Sequence, residues 1–382
     1  MISRGEFFAG AGALGTLAAI DVPYNSTVAI GVVCPLSGPF RSAGEALANG
    51  VRGAIDYQNR LRAGFDKVYT VRTFDDQNSV ANAIVNAQFA VDDPTIVAVI
   101  GHLGAKDTLA VLQTYAQAQM PLIVPAVTAD ALTSQGYHNV FRLPTRDLVE
   151  GQLLAKFVLA AKAAPKVPHV LVQDGDYGAD VATGYTQQFS AQKIDSRVTV
   201  FGYANPDYNG AADAVLTGTP DHIMLAGTAP DMGPIIQILR DKGYTGPFAA
   251  PQGFFDALTV GKYAKACDGI VVSTSMPYLA LAPTAFRQLN DYVGSYGQLV
   301  PVSAFAYAAA QIVMSTVGRT GASQRATLLS SLGLGGNYTT IVGSFTFSPT
   351  GDPIDPELYF YTVADGKFSY LKQAHPSAFL SR

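Results

Sequence analysis

The stretch Val99-Ile100-Gly101-His102-Leu103-Gly104-Ala105-Lys106-Asp107-Thr108 is the part of the chain best equipped for chemistry. An unbroken apolar run, Ile96 to Ile100, stops at a glycine-punctuated turn. An acid and a threonine follow, and a helical pattern begins at Leu109. A strand that feeds a helix in this way offers N–H groups without intrahelical partners at the positive end of a helix dipole. Together they hold a negative or polar group. The turn contains no nucleophile and no metal cage, so the chemistry expected of it is capture of a small molecule, not its conversion.

The other reactive residue types point the same way. The chain has no GxSxG elbow, no HExxH, no GxxxxGK[ST] loop and no EF-hand loop, so no catalytic residue is assigned and the protein is read as a non-enzyme. His102, His138, His169, His222 and His375 lack metal-ligand spacing, and neither metal nor cofactor is expected. His102, directly after a strand, is read as structural. Cys34 and Cys267 stand 233 positions apart with no CxxC, which excludes a zinc or dithiol site on spacing and leaves a Cys34–Cys267 disulfide open. Gly10-Ala-Gly12-Ala-Leu-Gly15 matches GxGxxG formally, but no strand precedes it. The loop Cys34 to Gly44 lacks the glycine pattern that Asp75-Asp76 would need in order to act on a ribose, so a dinucleotide site is rejected.

These residues need elements to position them. The length, 382 residues, suits two domains with cores of their own. Charged residues are 14% and hydrophobic ones 48%, the latter in short runs, as in a globular chain. The net charge of −4, without a basic patch interleaved with aromatics, argues against a nucleic-acid partner. Phe7 to Ile20 is weakly apolar, rich in Ala and Gly, and too short to span a bilayer as a helix. Ser3-Arg4-Gly5-Glu6-Phe7-Phe8 resembles a twin-arginine signal with Gly5 at the second arginine. Residues 1–25 are therefore expected to be an export signal, by the twin-arginine or the general secretory route, and the protein is expected in the periplasm.

Strands are expected at Val28–Val33, Val68–Phe74, Ile96–Ile100 and Pro121–Pro125. Helices alternate with them, their inward positions being Leu47, Val51, Ala54 and Ile55, then Val80, Ile84, Ala87 and Val91. From Phe141 to Pro144 the pattern restarts. A helix from Asp147 carries Leu154, Phe157, Val158 and Ala161 inward, and strands follow at His169–Val172, Val198–Phe201, His222–Ala226, Pro247–Ala250 and Ile270–Ser273. Alternation of this kind makes a parallel, helix-covered sheet, and here there are two. Three helical stretches then come in a row, Thr284–Tyr296, Val302–Val317 and Gln324–Leu332. They are expected to return to the first unit, while the closing strands Gly343–Phe347, Leu358–Val363 and Phe368–Leu371 add to the second. The fold class is α/β, two doubly wound parallel-sheet lobes joined by three hinge crossings near residues 144, 276 and 355. Lobe 1 takes 26–144 plus 277–354 and lobe 2 takes 145–276 plus 355–382. Ligands of such sheets sit at the carboxyl ends of the strands, which places the site between the lobes.

At this point an ordered set of motifs resembles a known family. Val33-Cys-Pro-Leu-Ser-Gly-Pro-Phe40 followed by Gly44, Asp75-Asp76-Gln77, Ile100-Gly-His102, Pro125-Ala-Val-Thr128, Asn139-Val-Phe-Arg142, Asp176-Tyr-Gly178, Pro230-Asp-Met-Gly233 and Gly343 onward occur in this order. The chain, over about residues 28 to 372, is similar to the leucine/isoleucine/valine-binding type of periplasmic solute-binding protein, the type I fold that delivers ligands to ABC importers. The resemblance implies a small-molecule ligand and the permease subunits of an ABC transporter as partners, and a monomer.

Carried over position by position, it implies a site in which Ser37, with Phe40 in the same loop, lines the cleft. Ala105 and Lys106 present backbone N–H groups to a ligand carboxylate. Ala126 and Thr128, flanking Val127, offer a carbonyl and a hydroxyl to an α-ammonium, and Tyr177, Thr228 and Gln252 close over the ligand from lobe 2. Ala105 stands where the amino-acid binders place a carboxylate-gripping serine, and Gln252 stands where they place the glutamate that pairs with the ammonium. A buried ammonium without a paired anion costs several kcal/mol. Ala43 and Val302 replace positions commonly aromatic in the family, which enlarges the pocket, and Arg41 and Lys106 are candidates for a carboxylate partner. The expected ligand is therefore not a standard α-amino acid but an aromatic or bulky organic acid, or an amide. The alternatives are a leucine/isoleucine/valine or other amino-acid binder, an amide-type ligand sensor, and a doubly wound enzyme.

Overall fold

A computed structural model describes residues 27–61, 67–175, 177–202, 204, 206–279, 285–321 and 323–374. The expected export segment, residues 1–25, and with it the Gly10–Gly15 motif, lies outside the described residues, as do Asp176 and His375.

β1 (Thr27–Cys34) shows how the first sheet is organised. Its alternate side chains point to opposite faces: Val28, Ile30 and Val32 join one apolar core, while Ala29 and Val33 join another. Both faces are therefore covered, as a parallel strand requires. The sheet has the order β2 (Val68–Asp75), β1, β3 (Ile96–Gly101), β4 (Leu122–Val124), β5 (Val140–Arg142), parallel throughout. One face is covered by α1 (Arg41–Leu61), α11 (Phe286–Tyr296) and α12 (Pro301–Thr320), the other by α2 (Val80–Asp92) and α3 (Ala105–Gln117). α12 is long and apolar enough to cross a membrane by composition alone, but it is mostly buried and serves as the core helix of this layer.

The second sheet has the order β14 (Lys367–Ala374), β13 (Leu358–Ala364), β10 (Val271–Thr274), β9 (Phe248–Ala250), β8 (His222–Ala226), β6 (Pro168–Asp174), β7 (Arg197–Gly202). It is parallel from β10 to β7, and β13 and β14 add antiparallel to its edge. α5 (Asp147–Leu159) and α6 (Ala179–Ala191) cover one face, and α7 (Tyr208–Thr217) and α8 (Ala229–Asp241) the other. α5 and α6 approach closely because a Cβ on Gly151 would meet Val181 O at 2.0 Å, and one on Gly184 would meet Leu148 O at 2.1 Å.

The chain crosses between the sheets three times, after β5, after β10 and before β13, giving the two doubly wound lobes. The first two crossings are tied together by Thr145 N donating to Ser275 Oγ at 2.9 Å.

Several expectations need correction. α2 buries Ala83, Ala87 and Ala90 while Val80 and Ile84 are exposed, because the close partner α3 leaves room only for the small stripe. In α5, Leu153 and Ala155 are buried with Leu154 and Val158; Phe157 is half-buried and Ala161 is exposed beyond the helix end. β12 (Gly343–Phe345) does not join the second sheet. It pairs with β11 (Tyr338–Thr340), and Tyr338, Val342, Phe345 and Phe347 fill the first lobe's core. β5 and β11, three residues each, are too short to show a periodicity. Cys34 and Cys267 are both free and buried.

Candidate functional site

A cavity of about 440 Å³ opens between the sheets, within the range of small-molecule sites. From the first lobe it is lined by Phe40, Asn78, Leu103, Gly104, Ala105, Lys106, Ala126, Val127, Thr128 and Ala129, and from the second by Gln173, Gly175, Tyr177 and Thr228. Nearly all follow the carboxyl end of a strand: Asn78 after β2, Leu103 to Lys106 after β3, Ala126 to Ala129 after β4, Thr228 after β8.

The turn after β3 is fixed from below. Gly101 has φ +148°, and a Cβ there would lie 2.2 Å from Val33 O, so only glycine lets β3 turn against β1. His102 is fully buried between Asp76, Nδ1 to Oδ2 at 2.7 Å, and Tyr115, Nε2 to Oη at 3.1 Å; its role is structural. Gly104 is the N-cap of α3, and its carbonyl accepts from Thr108 Oγ1 at 2.7 Å. Ala105 and Lys106 are therefore the first two helical residues, and the positive end of the α3 dipole stands at the cavity wall. Thr228, the N-cap position of α8, brings a second helix N-terminus from the opposite lobe.

The loop that carries Phe40 is held by Asp75, whose Oδ1 accepts from Leu36 N at 2.8 Å and whose Oδ2 accepts from Ser37 Oγ at 2.6 Å. Burial alone would raise the Asp75 carboxyl, but the bonds from Ser37, Leu36 and Gln77 outweigh it and hold the group below its usual range. Gly44 lets this loop lie on α1, since a Cβ there would sit 1.8 Å from Pro35 O.

On the second lobe, Thr228 is fixed by Gln173, whose Oε1 accepts from Thr228 N at 2.8 Å and whose Nε2 donates to Asp231. Tyr208 Oη donates to the other oxygen of Asp231 at 2.7 Å. Tyr177 Oη accepts from Gly253 N at 3.0 Å, and its ring lies where a Cβ on Gly253 would be.

Buried charges stand behind the wall. Arg142, fully buried on β5, donates through Nη1 to Thr128 O and Ala129 O, both at 2.7 Å, through Nε to Asp352 at 3.0 Å and through Nη2 to Thr133 Oγ1 at 2.5 Å. It shapes the segment after β4 that lines the cavity. Burial pushes the Asp147 carboxyl up to about 7, although the Thr128 hydroxyl lies against it and lowers it. Burial likewise pushes Glu150 up to about 8, against a hydrogen bond from Ser273 Oγ at 2.7 Å. Tyr177 is held well above its usual value by burial and then by the Glu150 and Asp147 charges.

Of the residues singled out in the sequence, Phe40, Ala105, Lys106, Ala126, Val127, Thr128, Tyr177 and Thr228 lie together around this cavity. Ser37 stands behind the wall, engaged with Asp75. Arg41 is exposed and paired with Glu45 at 2.7 Å. Ala43 is half-buried on α1, and Val302 packs on the core of the first lobe. Gln252 lies just outside the lining, its backbone N donating to Glu150 Oε1 at 2.8 Å. Sequence reasoning missed Asn78, Leu103, Ala129, Gln173 and Gly175 on the wall, and Arg142, Asp147 and Glu150 behind it. Asp147 and Glu150 give one signal, two acids in the first turn of an apolar helix.

Residues 27–367 match the family model described as "Periplasmic binding protein". The Leu/Ile/Val-binding protein BraC3 of Rhizobium johnstonii is 23% identical over 354 residues, 90% of this chain and 93% of that protein. Among solved structures, a leucine-binding protein LivK of Thermotoga maritima superposes with a TM-score of 0.82 at 20% identity, covering 92% of this chain and 99% of the other. An ABC-transporter solute-binding protein of R. palustris in complex with benzoate gives 0.78 at 18% identity, covering 92% and 97%. These likenesses show the fold, and the family match covers most of the chain. With two doubly wound lobes and a cavity between them, and with the family match over residues 27–367, the chain belongs to the periplasmic binding protein family.

Proposed function

We propose that this protein is an exported, monomeric receptor that traps a small organic acid with an aromatic or bulky body, or an amide, between its lobes and delivers it to the permease subunits of an importer of the branched-chain amino acid type. In this reading residues 1–25 are the export signal, lobe 1 is 26–144 plus 277–354, lobe 2 is 145–276 plus 355–382, and the protein carries no catalytic activity. The observation that carries the ligand class is the cavity wall. Phe40, 42% exposed at its mouth, Leu103, Val127 and three alanines make it broad and apolar, while the N-terminus of α3 supplies a place for a carboxylate. Ala105 brings no hydroxyl to that carboxylate and Gln252 brings no charge, which argues against an ordinary α-amino acid. The benzoate-bound relative supports the same class, since it holds an aromatic acid on this fold.

Isothermal titration of the purified protein with leucine, benzoate and 4-hydroxybenzoate tests the reading. The aromatic acids are expected to bind and leucine to bind weakly. Tight leucine binding with no response to the acids overturns it.

A further inference from the structure

Most polar side chains on the cavity wall are already engaged within the protein. The Thr128 hydroxyl lies against Asp147, Gln173 holds Thr228 and Asp231, and Tyr177 Oη accepts from Gly253 N. Thr228 Oγ1 donates to Gln173 Oε1 at 3.2 Å, and Lys106 too has a partner. Asn78 differs. It lines the cavity half-buried, and among the described residues its side-chain amide makes no hydrogen bond. An amide carries two N–H donors and an acceptor, and one that stands unused on a cavity wall is available to a ligand.

Its place is built from behind. Gln77 and Asn78 have φ +53° and +54°, the left-handed region that asparagine tolerates better than most residues. Asn78 N donates to Asp76 Oδ1 at 3.0 Å, and Gln77 N to Asp75 Oδ1 at 3.1 Å. Asp76 is fully buried, and its other oxygen is bonded to His102, which in turn meets Tyr115. This chain of buried bonds ties the turn after β2 to α3. The amide thereby stands beside the N-cap of α3, since a Cβ on Gly104 would lie 2.7 Å from Asn78 Oδ1. Ala105 and Lys106, whose N–H groups are the first of the helix, belong to the same stretch of wall.

We propose that Asn78 is a specificity-determining residue of the cleft, its Nδ2 donating to the ligand's carboxylate in place of the hydroxyl that Ala105 lacks. The inference rests on reading this cavity as the ligand cleft and the α3 N-terminus as its carboxylate end. A carboxylate only accepts, so it draws the amide nitrogen toward itself, and a half-turn of χ2 is enough to present it. Two kinds of donor then grip the acid: fixed main-chain N–H groups and a side chain whose backbone is already set. This narrows the ligand class from an acid or an amide to an acid.

Benzoate and benzamide, titrated calorimetrically into the full chain, are the probes. The wild type is expected to prefer the acid by about tenfold or more. Asn78→Asp keeps the size and suits the same φ, but it sets a carboxylate against that of benzoate and offers benzamide an acceptor. The preference should invert, with benzamide binding the tighter. Asn78→Gly removes the amide without straining the turn and should weaken benzoate by about tenfold or more. Adding Ala105→Ser to that variant returns a hydroxyl donor and should recover most of the loss, which a merely structural role of Asn78 would not allow. Should Asn78→Asp fail to fold, the glycine variant decides alone. An acid-to-amide preference unchanged by Asn78→Asp, or benzoate affinity unchanged by Asn78→Gly, overturns the inference and leaves the organic-acid reading standing. Wild-type protein that binds neither probe overturns that reading and the inference with it.

Discussion

Replacing Glu150 by glutamine should change how stability depends on pH in ligand-free protein. Burial, with the neighbouring Asp147 charge, raises this carboxyl to about 8 from an ordinary value of 4.5, in spite of the bonds from Ser273 and Gln252. Between those limits the folded chain holds a proton that the unfolded chain has released. More protons are bound in the native state, so stability falls as pH rises; the contribution is fully present below about pH 4.5 and is gone above about pH 8. One proton is worth up to about 1.4 kcal/mol per pH unit, so the loss from pH 5 to 8 reaches up to about 4 kcal/mol. Asp147, raised to about 7 by burial, adds a loss of the same sign over a narrower window. His222, lowered to about 4 by burial, acts oppositely, since the unfolded chain binds its proton first and stability rises with pH up to about 6.5. The informative quantity is therefore the variant minus the wild type. Urea denaturation of both proteins at intervals from pH 5 to 9 measures it. The variant should gain steadily on the wild type as pH rises. Parallel curves over this range would refute the account of Glu150 as a buried, proton-holding acid.

Two further outcomes follow from the packing. Arg142→Met removes the partner of Asp352, of Thr133 and of two carbonyls, and breaking a buried network of this kind should cost about 3–5 kcal/mol, read as a lower urea midpoint. Gly151→Ala forces a methyl group into Val181 O at 2.0 Å; the overpacking should cost about 1–3 kcal/mol, read as a lower urea midpoint.

The two parallel sheets were legible because buried strands such as Ile96 to Gly101 are unbroken apolar runs ended by glycine. The long helices with one apolar face were legible too: Leu47, Val51, Ala54 and Ile55 of α1 are all buried. What escaped was decided by neighbours distant in sequence. α2 turns the alanines Ala83, Ala87 and Ala90 inward, so Val80 and Ile84, which periodicity favoured, point outward while Val91 packs on the core. β5 is three residues ending in a buried arginine whose partner, Asp352, lies 210 positions away. The cavity wall was read best where a motif follows a strand directly, as at Ala105 and Thr128. Asp147 and Glu150 look like ordinary solvated acids of a helix start, and neighbours distant in sequence bury them, Thr128 beside Asp147 and Gln252 and Ser273 beside Glu150.

The threefold crossing also constrains how this chain comes to be folded. α1 docks on α12, and Tyr69 reaches Met314 O at 3.3 Å across 245 residues of sequence. During synthesis one face of the first lobe's sheet is therefore covered by α1 alone, without α11 and α12, until the whole of the second lobe's parallel portion has been made. The second lobe in turn waits for β13 and β14. Contacts so distant slow folding, because the intervening loop must be closed before they repay it. Neither lobe can be finished on the ribosome long before the other, so the nascent chain stays open and within reach of chaperones until its last strands emerge.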